Sequence, residues 1–223
     1  MRRGNEVCYN ISVVMNKHRV IVPTSGVSER RALKHLKRAG IARSRDLVAA
    51  GVPRTQIRRL ADQGILESAG RGLYRSSAAP ITESHDLARV CRLVPNGVVC
   101  LLSALRFHGL TTQNPFEIWL AIDQKAWRPT IGHPRLRLVY LSGPALQEGV
   151  ETHQIDGVPV RVFSAAKTVT DCFKFRNKIG TDVAVEALRD YRRLHPKKLD
   201  ALWGMAEVDR VTRVMRPYLE ALG

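Results

Sequence analysis

The chain has 223 residues, 44% apolar and 25% charged, and its 36 Lys+Arg against 20 Asp+Glu give a formal net charge of +16. That length suits two domains and that apolar fraction a buried core, which excludes a disordered or fibrous chain, while the positive surplus points to a polyanionic partner. No run reaches the roughly 18 apolar residues of a membrane span, and the basic Met1-Arg2-Arg3 opening leads into Asn10, Ser12, Asn16 and Lys17, too polar for a signal peptide.

The surplus is uneven. Residues 1–79 hold 16 Lys+Arg against 5 Asp+Glu, and residues 80–223 hold 20 against 15. About two-thirds of the excess thus sits in the first third of the chain, as for a nucleic-acid module joined to a different one. The four cysteines (Cys8, Cys91, Cys100, Cys172) lack the close pairs of a zinc site. Reduced thiols of a cytoplasmic protein fit them, and no cofactor or metal is expected.

In chain order, residues 1–27 read as a weakly specified leader. Val7–Val14 and Arg19–Val22 have strand character, Pro23-Thr24-Ser25-Gly26 breaks the chain, and Met1 and Met15 both stand open as the start. From Ser28, a candidate N-cap, Ala32, Leu33, Leu36 and Ala39 line one helical face before Gly40 stops the helix. Ser44 caps a second, short helix burying Leu47 and Val48. Pro53 opens a third, whose inward stripe is Ile57, Leu60 and Ala61 and whose end is Gly64. Ile65-Leu66 and Leu73-Tyr74 flank Gly70-Arg71-Gly72, a hairpin with a glycine-rich tip.

Three helices followed by a hairpin is the winged helix-turn-helix order, assigned to residues 28–77. After a linker at 76–82, residues 83–223 form a second domain. Helices are expected at 83–93, 100–109, 165–176, 181–194, 197–206 and 208–222, with Pro196 and Pro217 as punctuation. Strands are expected at 116–122 and 136–141, and a hairpin at 150–163 turns at Gly157. The fold class is α+β: an N-terminal winged helix-turn-helix, then a mixed α/β domain with a helical C-terminal end.

The third helix carries the clearest chemistry. With Ile57 at zero and about 100° per residue, the core stripe centres on Ile57, Leu60 and Ala61. Thr55, Gln56, Arg58 and Arg59 then face outward, and Arg54 in the first turn joins them as a DNA-binding candidate. Arg pairs bidentately with guanine, Gln with adenine, and Thr contacts base or phosphate. Such residues belong at the N-terminal end of a recognition helix. Arg43, Ser44 and Arg45 open the second helix, where free backbone N–H groups suit a phosphate. Arg71 at the wing tip suits a minor groove or backbone, and Tyr74 and Arg75 brace the wing. For Tyr74 a place in the wing core is the stronger reading.

Other chemistry is thinner. Asp123-Gln124-Lys125 with Glu117 has part of a metal-dependent nuclease pattern but lacks its acidic partner. Lys167 and Asp171 are four apart and suit a surface ion pair on one helix face. His108 ends a helix, where a positive imidazole suits the dipole and serves as a cap. Phe107, Phe116, Trp119 and Trp127 could line an effector pocket of a ligand-responsive repressor, although large aromatics more often belong to a core. No catalytic triad, phosphate-gripping glycine loop or metal cluster stands out, so an enzyme is not expected.

Ala39-Gly40, Ser44 to Ala50, Gly51-Val52-Pro53 to Arg59, Gly64-Ile65-Leu66 and Gly70-Arg71-Gly72-Leu73-Tyr74 together resemble the N-terminal domain of AbiEi-family antitoxins of bacterial type IV toxin–antitoxin systems. Ser103-Ala104-Leu105 with His108-Gly109-Leu110, and Ser164 to Thr168 with Asp171, resemble that family's C-terminal domain. The resemblance implies an antitoxin that represses its own operon at inverted repeats of duplex DNA and neutralises a cognate nucleotidyltransferase-like toxin without a required stable complex. It implies a cytoplasmic, nucleoid-associated protein. Ser103, His108, Lys167, Thr168 and Asp171 become the candidate residues for the antitoxin function.

Overall fold

The computed structural model describes residues 25–79 and 84–221. The strands expected at Val7–Val14 and Arg19–Val22, together with Cys8 and Met15, lie outside the described residues. The first unit runs α1 (Ser25–Ala39), β1 (Ile41–Arg43), α2 (Ser44–Ala49), α3 (Arg54–Asp62), β2 (Leu66–Gly70) and β3 (Leu73–Ser76). Its strands form an antiparallel sheet in the order β1-β3-β2. Ala32, Leu36, Ala42, Leu47, Val52, Ile57, Leu60 and Leu66 close its core.

Two expected caps differ. Helix α1 begins at Ser25, so Ser28 lies within it and is buried. The reason is geometric: Ser28 stands four residues before Ala32 and eight before Leu36, on the stripe that faces the core. At α2 the side chain of Asp46, not Ser44, closes the first turn by accepting the Arg43 backbone N–H at 3.0 Å.

The second unit continues with α4 (His85–Leu93), β4 (Val98–Val99), α5 (Leu101–Phe107), β5 (Ile118–Asp123), β6 (Leu136–Leu141), α6 (Pro144–Gln147), β7 (Val150–Ile155) and β8 (Val158–Phe163). Five helices follow: α7 (Ala165–Lys174), α8 (Arg176–Ile179), α9 (Thr181–Leu194), α10 (Leu199–Val208) and α11 (Thr212–Ala221). The five-stranded sheet has the order β6-β5-β4-β8-β7, with β5/β6 and β4/β8 parallel and the other pairs antiparallel. Pro217 lies inside α11, on an exposed position, and does not end it.

Alternation along β5 divides the core between the two faces. Trp119 and Ala121 point to a cluster built with α7, α9, α10 and α11. Ile118, Leu120 and Ile122 point to the other face, with Ala88, Val90 and Cys91 of α4. That second cluster also takes in Ile41, Ala69 and Leu73 of the small sheet, so the small sheet and the large one share an apolar cluster.

The backbones of the two units also touch. Gly40, just after α1, sits against the β7–β8 turn, where Asp156 and Gly157 have φ of 49° and 73°. These positive values fit the two-residue turn that matches strand twist. A Cβ on Gly40 would lie 1.2 Å from the Asp156 carbonyl oxygen, and one on Gly157 2.8 Å from the Gly40 nitrogen. Each glycine reads locally as punctuation; together they are a close approach that a side chain would block.

Candidate nucleic-acid interface

Pro53 precedes α3 with φ −59°, a value its ring supplies in advance, and lacks the N–H that the first turn would leave unpaired. Ile57 and Leu60 are buried, which turns Arg54, Thr55, Arg58 and Arg59 outward and exposed. Gln56 is half-buried, and its Oε1 is enclosed without a hydrogen-bond partner among the described residues. Of the expected reading residues, it alone is drawn toward the protein.

The β2–β3 tip meets the start of α2. The Ser44 backbone N–H donates to the Gly72 carbonyl at 2.9 Å, and the Ser44 hydroxyl donates to the same oxygen at 3.3 Å. This sets exposed Arg71 beside exposed Arg45. Arg54, Arg58, Arg59 and Arg71 enter none of the ion pairs found among the described residues. Tyr74 is half-buried against the small core with Ala61 and Ile65. Arg75 braces the β2–β3 hairpin, its guanidinium held by the Glu67 carboxylate on the paired strand and donating to the Ala79 carbonyl at 2.8 Å. Sequence reasoning missed Arg31, whose guanidinium donates to the Gly51 carbonyl at 3.3 Å and ties α1 to the turn before α3.

Arg43 is engaged within the protein. Its guanidinium donates to the Arg92 and Leu93 carbonyls at 2.5 and 3.2 Å, at the end of α4. Partial burial and the neighbouring Arg45 lower its pKa. Asp46 answers both sides, accepting from the Arg92 guanidinium at 2.5 Å. Burial raises the pKa of Asp46, but the Arg43 amide and the Arg92 charge outweigh it and hold the carboxyl below its ordinary value.

Of the candidates of the second unit, Ser103, Lys167, Thr168 and Asp171 are buried and His108 is half-buried. Ser103 is buried and its hydroxyl accepts the Trp119 N–H at 2.9 Å, pinning α5 to β5. His108 and Thr168 converge on one oxygen: the Phe163 carbonyl accepts from His108 Nε2 at 2.7 Å and from the Thr168 hydroxyl at 3.2 Å. Burial lowers the His108 pKa, which favours a neutral imidazole donating to that carbonyl over a positive cap. Lys167 lies 4.5 Å from the centre of the Phe163 ring.

The expected surface pair of Lys167 and Asp171 is a buried one. The i,i+4 spacing holds, but residues 166–173 of α7 are all buried. Lys167 Nζ donates to Asp171 at 2.6 Å and to Asp209, in the turn after α10, at 3.0 Å. The Thr170 hydroxyl donates to the second Asp209 oxygen at 2.6 Å. Burial raises the pKa of Asp171 to about 7, against the opposing pull of Lys167.

Other expectations sort by location. Asp123 is exposed and closes a turn by accepting the Lys125 N–H at 2.8 Å. No group of three or more His, Cys, Asp or Glu side chains able to hold a metal occurs among the described residues. Trp119 is core, whereas Trp127 and Phe116 are 96% and 83% exposed, so the four aromatics do not enclose one pocket. No helix among the described residues is long and apolar enough to cross a membrane.

Arg54, Arg58 and Arg59 thus form an exposed basic helix face beside an Arg-tipped hairpin. Residues 30–77 match the model of the family described as transcriptional regulator, AbiEi antitoxin. That match makes this segment similar to the AbiEi antitoxin regulators, and it contains α2, α3 and the β2–β3 hairpin in full. No curated protein matches the chain.

Proposed function

We propose that residues 28–77 are a winged helix-turn-helix with which the protein represses its own operon, and that residues 83–223 serve the antitoxin function. The β1-β3-β2 sheet behind α2 and α3 supports the winged reading. One observation carries the DNA reading: Arg54, Thr55, Arg58 and Arg59 stand exposed on one helix face, with the arginines free of carboxylate partners among the described residues. An unspent guanidinium fork reads guanine or grips a phosphate, whereas a merely solvated basic face is more often laced with ion pairs.

The toxin-directed part follows from the resemblance downstream of residue 100, with a nucleotidyltransferase-like toxin as functional partner and the cytoplasmic nucleoid as the place of work. Because Ser103, His108, Lys167, Thr168 and Asp171 are interior or hydrogen-bonded to the backbone, we assign them the shaping of that unit rather than direct contact with the toxin. A strain carrying the cognate toxin and a reporter on the chain's own upstream DNA tests both halves. The wild-type protein represses the reporter and restores growth, and Arg58→Ala/Arg59→Ala relieves repression while growth persists. A wild-type protein that leaves reporter and growth unchanged refutes the proposal.

A further inference from the structure

A second basic feature lies where the two units meet. Between the start of α2, the end of α4 and strand β8 is a pocket of about 380 Å³ lined by Arg43, Arg45, Arg92 and Arg161, with Asp46 as its one carboxylate and Thr152 at its edge. Two of these arginines come from the small unit and two from the large one. Asp46 is shared: it binds Arg92 at 2.5 Å and lies 3.8 Å from Arg45. Arg161 donates one hydrogen bond, to the Asn96 carbonyl at 3.1 Å. Arg92 Nε is enclosed with no partner among the described residues.

Four guanidinium groups against a single carboxylate repel one another, and partial desolvation strengthens the repulsion. Their forks carry more donors than the nearby carbonyls and Asp46 use. An oxyanion with several acceptor oxygens relieves both conditions at once, and the planar fork matches a phosphate bidentately. The volume admits a phosphate with an attached sugar. Its rim is Arg45, which neighbours the wing tip through the Ser44–Gly72 hydrogen bond, so the pocket opens beside the DNA-facing surface.

We propose that this junction pocket is a phosphate-binding site, to which the large unit contributes Arg92 and Arg161. The phosphate is either a backbone phosphate of duplex DNA continuing past the wing or that of a free phosphate ester. The first source rests on the DNA-binding reading above; the second does not. In both cases the occupied pocket ties α2 to α4 and β8, so the ligand joins the DNA-reading unit to the unit behind it.

The test compares the full chain with Arg161→Gln, with Arg161→Lys as the charge-keeping variant and Arg193→Gln as a charge-matched control at an exposed position of α9. In one arm each protein is titrated with inorganic phosphate and arginine Nε–H signals are followed by NMR. Saturable shifts in the wild type that vanish in R161Q, persist in R193Q and weaken in R161K assign a free-phosphate site. In the other arm, duplex binding is measured between about 50 and 200 mM salt. A fall of about 0.9 in the slope of log Kobs against log salt for R161Q alone assigns a DNA phosphate. Absence of both effects overturns the proposal. If the wild type binds no duplex at all, the DNA reading fails, and the phosphate titration alone decides for or against the pocket.

Discussion

Replacing Gly40 by alanine probes the junction between the units, and Gly64→Ala supplies its control. Both glycines follow a helix with positive φ, +59° and +73°. An alanine in this left-handed region costs about 1–2 kcal/mol, offset by about 0.4–1 kcal/mol from the stiffer unfolded chain. A Cβ at Gly64 meets nothing within 4 Å, so Gly64→Ala is destabilised by the backbone term alone, about 1 kcal/mol. At Gly40 the Cβ falls 1.2 Å from the Asp156 carbonyl oxygen, and backbone atoms on both sides leave no side chain to swing away. The β7–β8 turn must retreat by roughly 2 Å to restore a van der Waals distance. That retreat loosens Ile41 and Leu73 from Val158 and Val160, and exposing even one such side chain costs about 1.5–3 kcal/mol. Gly40→Ala is therefore destabilised by about 3 kcal/mol or more, read as a lower urea midpoint at an unchanged slope. Equal midpoints for the two variants would refute the close approach of Gly40 to Asp156.

Two further variants test the interior of the large unit. Lys167→Met leaves Asp171 and Asp209 buried without their shared cation and costs about 3–5 kcal/mol in urea unfolding; a change within experimental error contradicts the buried network. His108 is half-buried, and that burial lowers its pKa from 6.5, so the folded protein binds its proton less readily than the unfolded chain does. Its contribution is present above pH 6.5 and is lost as pH falls below that value. Asp171, raised to about 7, acts in the opposite sense, giving stability that declines as pH rises toward that value. The difference between wild type and His108→Gln isolates the histidine: the variant lacks part of the acid-side loss, and parallel pH profiles contradict the assignment.

The small unit was legible because its signals are local. Gly40, Gly64 and the Gly70-Arg71-Gly72 tip mark chain reversals that the backbone makes there, and Ile57 with Leu60 fixes which face of α3 is free. Contacts between distant residues were not legible. Nothing near Arg43 announces that its guanidinium is held by carbonyls of Arg92 and Leu93, and Lys167 reads as half of a surface pair until Asp209 joins it. The two-residue strand β4 is too short to show a period, although it sits at the centre of the large sheet. Ser28 carries a capping side chain, but the stripe through Ala32 and Leu36 claims it for the core. Pro217 continues inside a helix where its missing N–H falls on an exposed position.

Binding of the wild-type protein and Arg59→Ala to duplexes carrying either the inverted repeat proposed upstream of the chain's own gene or a scrambled version tests the central claim most directly. Measured by fluorescence anisotropy at one fixed salt concentration, the wild type prefers the repeat. Arg59→Ala loses about 1–3 kcal/mol on it and much less on the scrambled duplex. A wild type that binds both duplexes alike, or a variant weakened equally on both, contradicts base reading by α3.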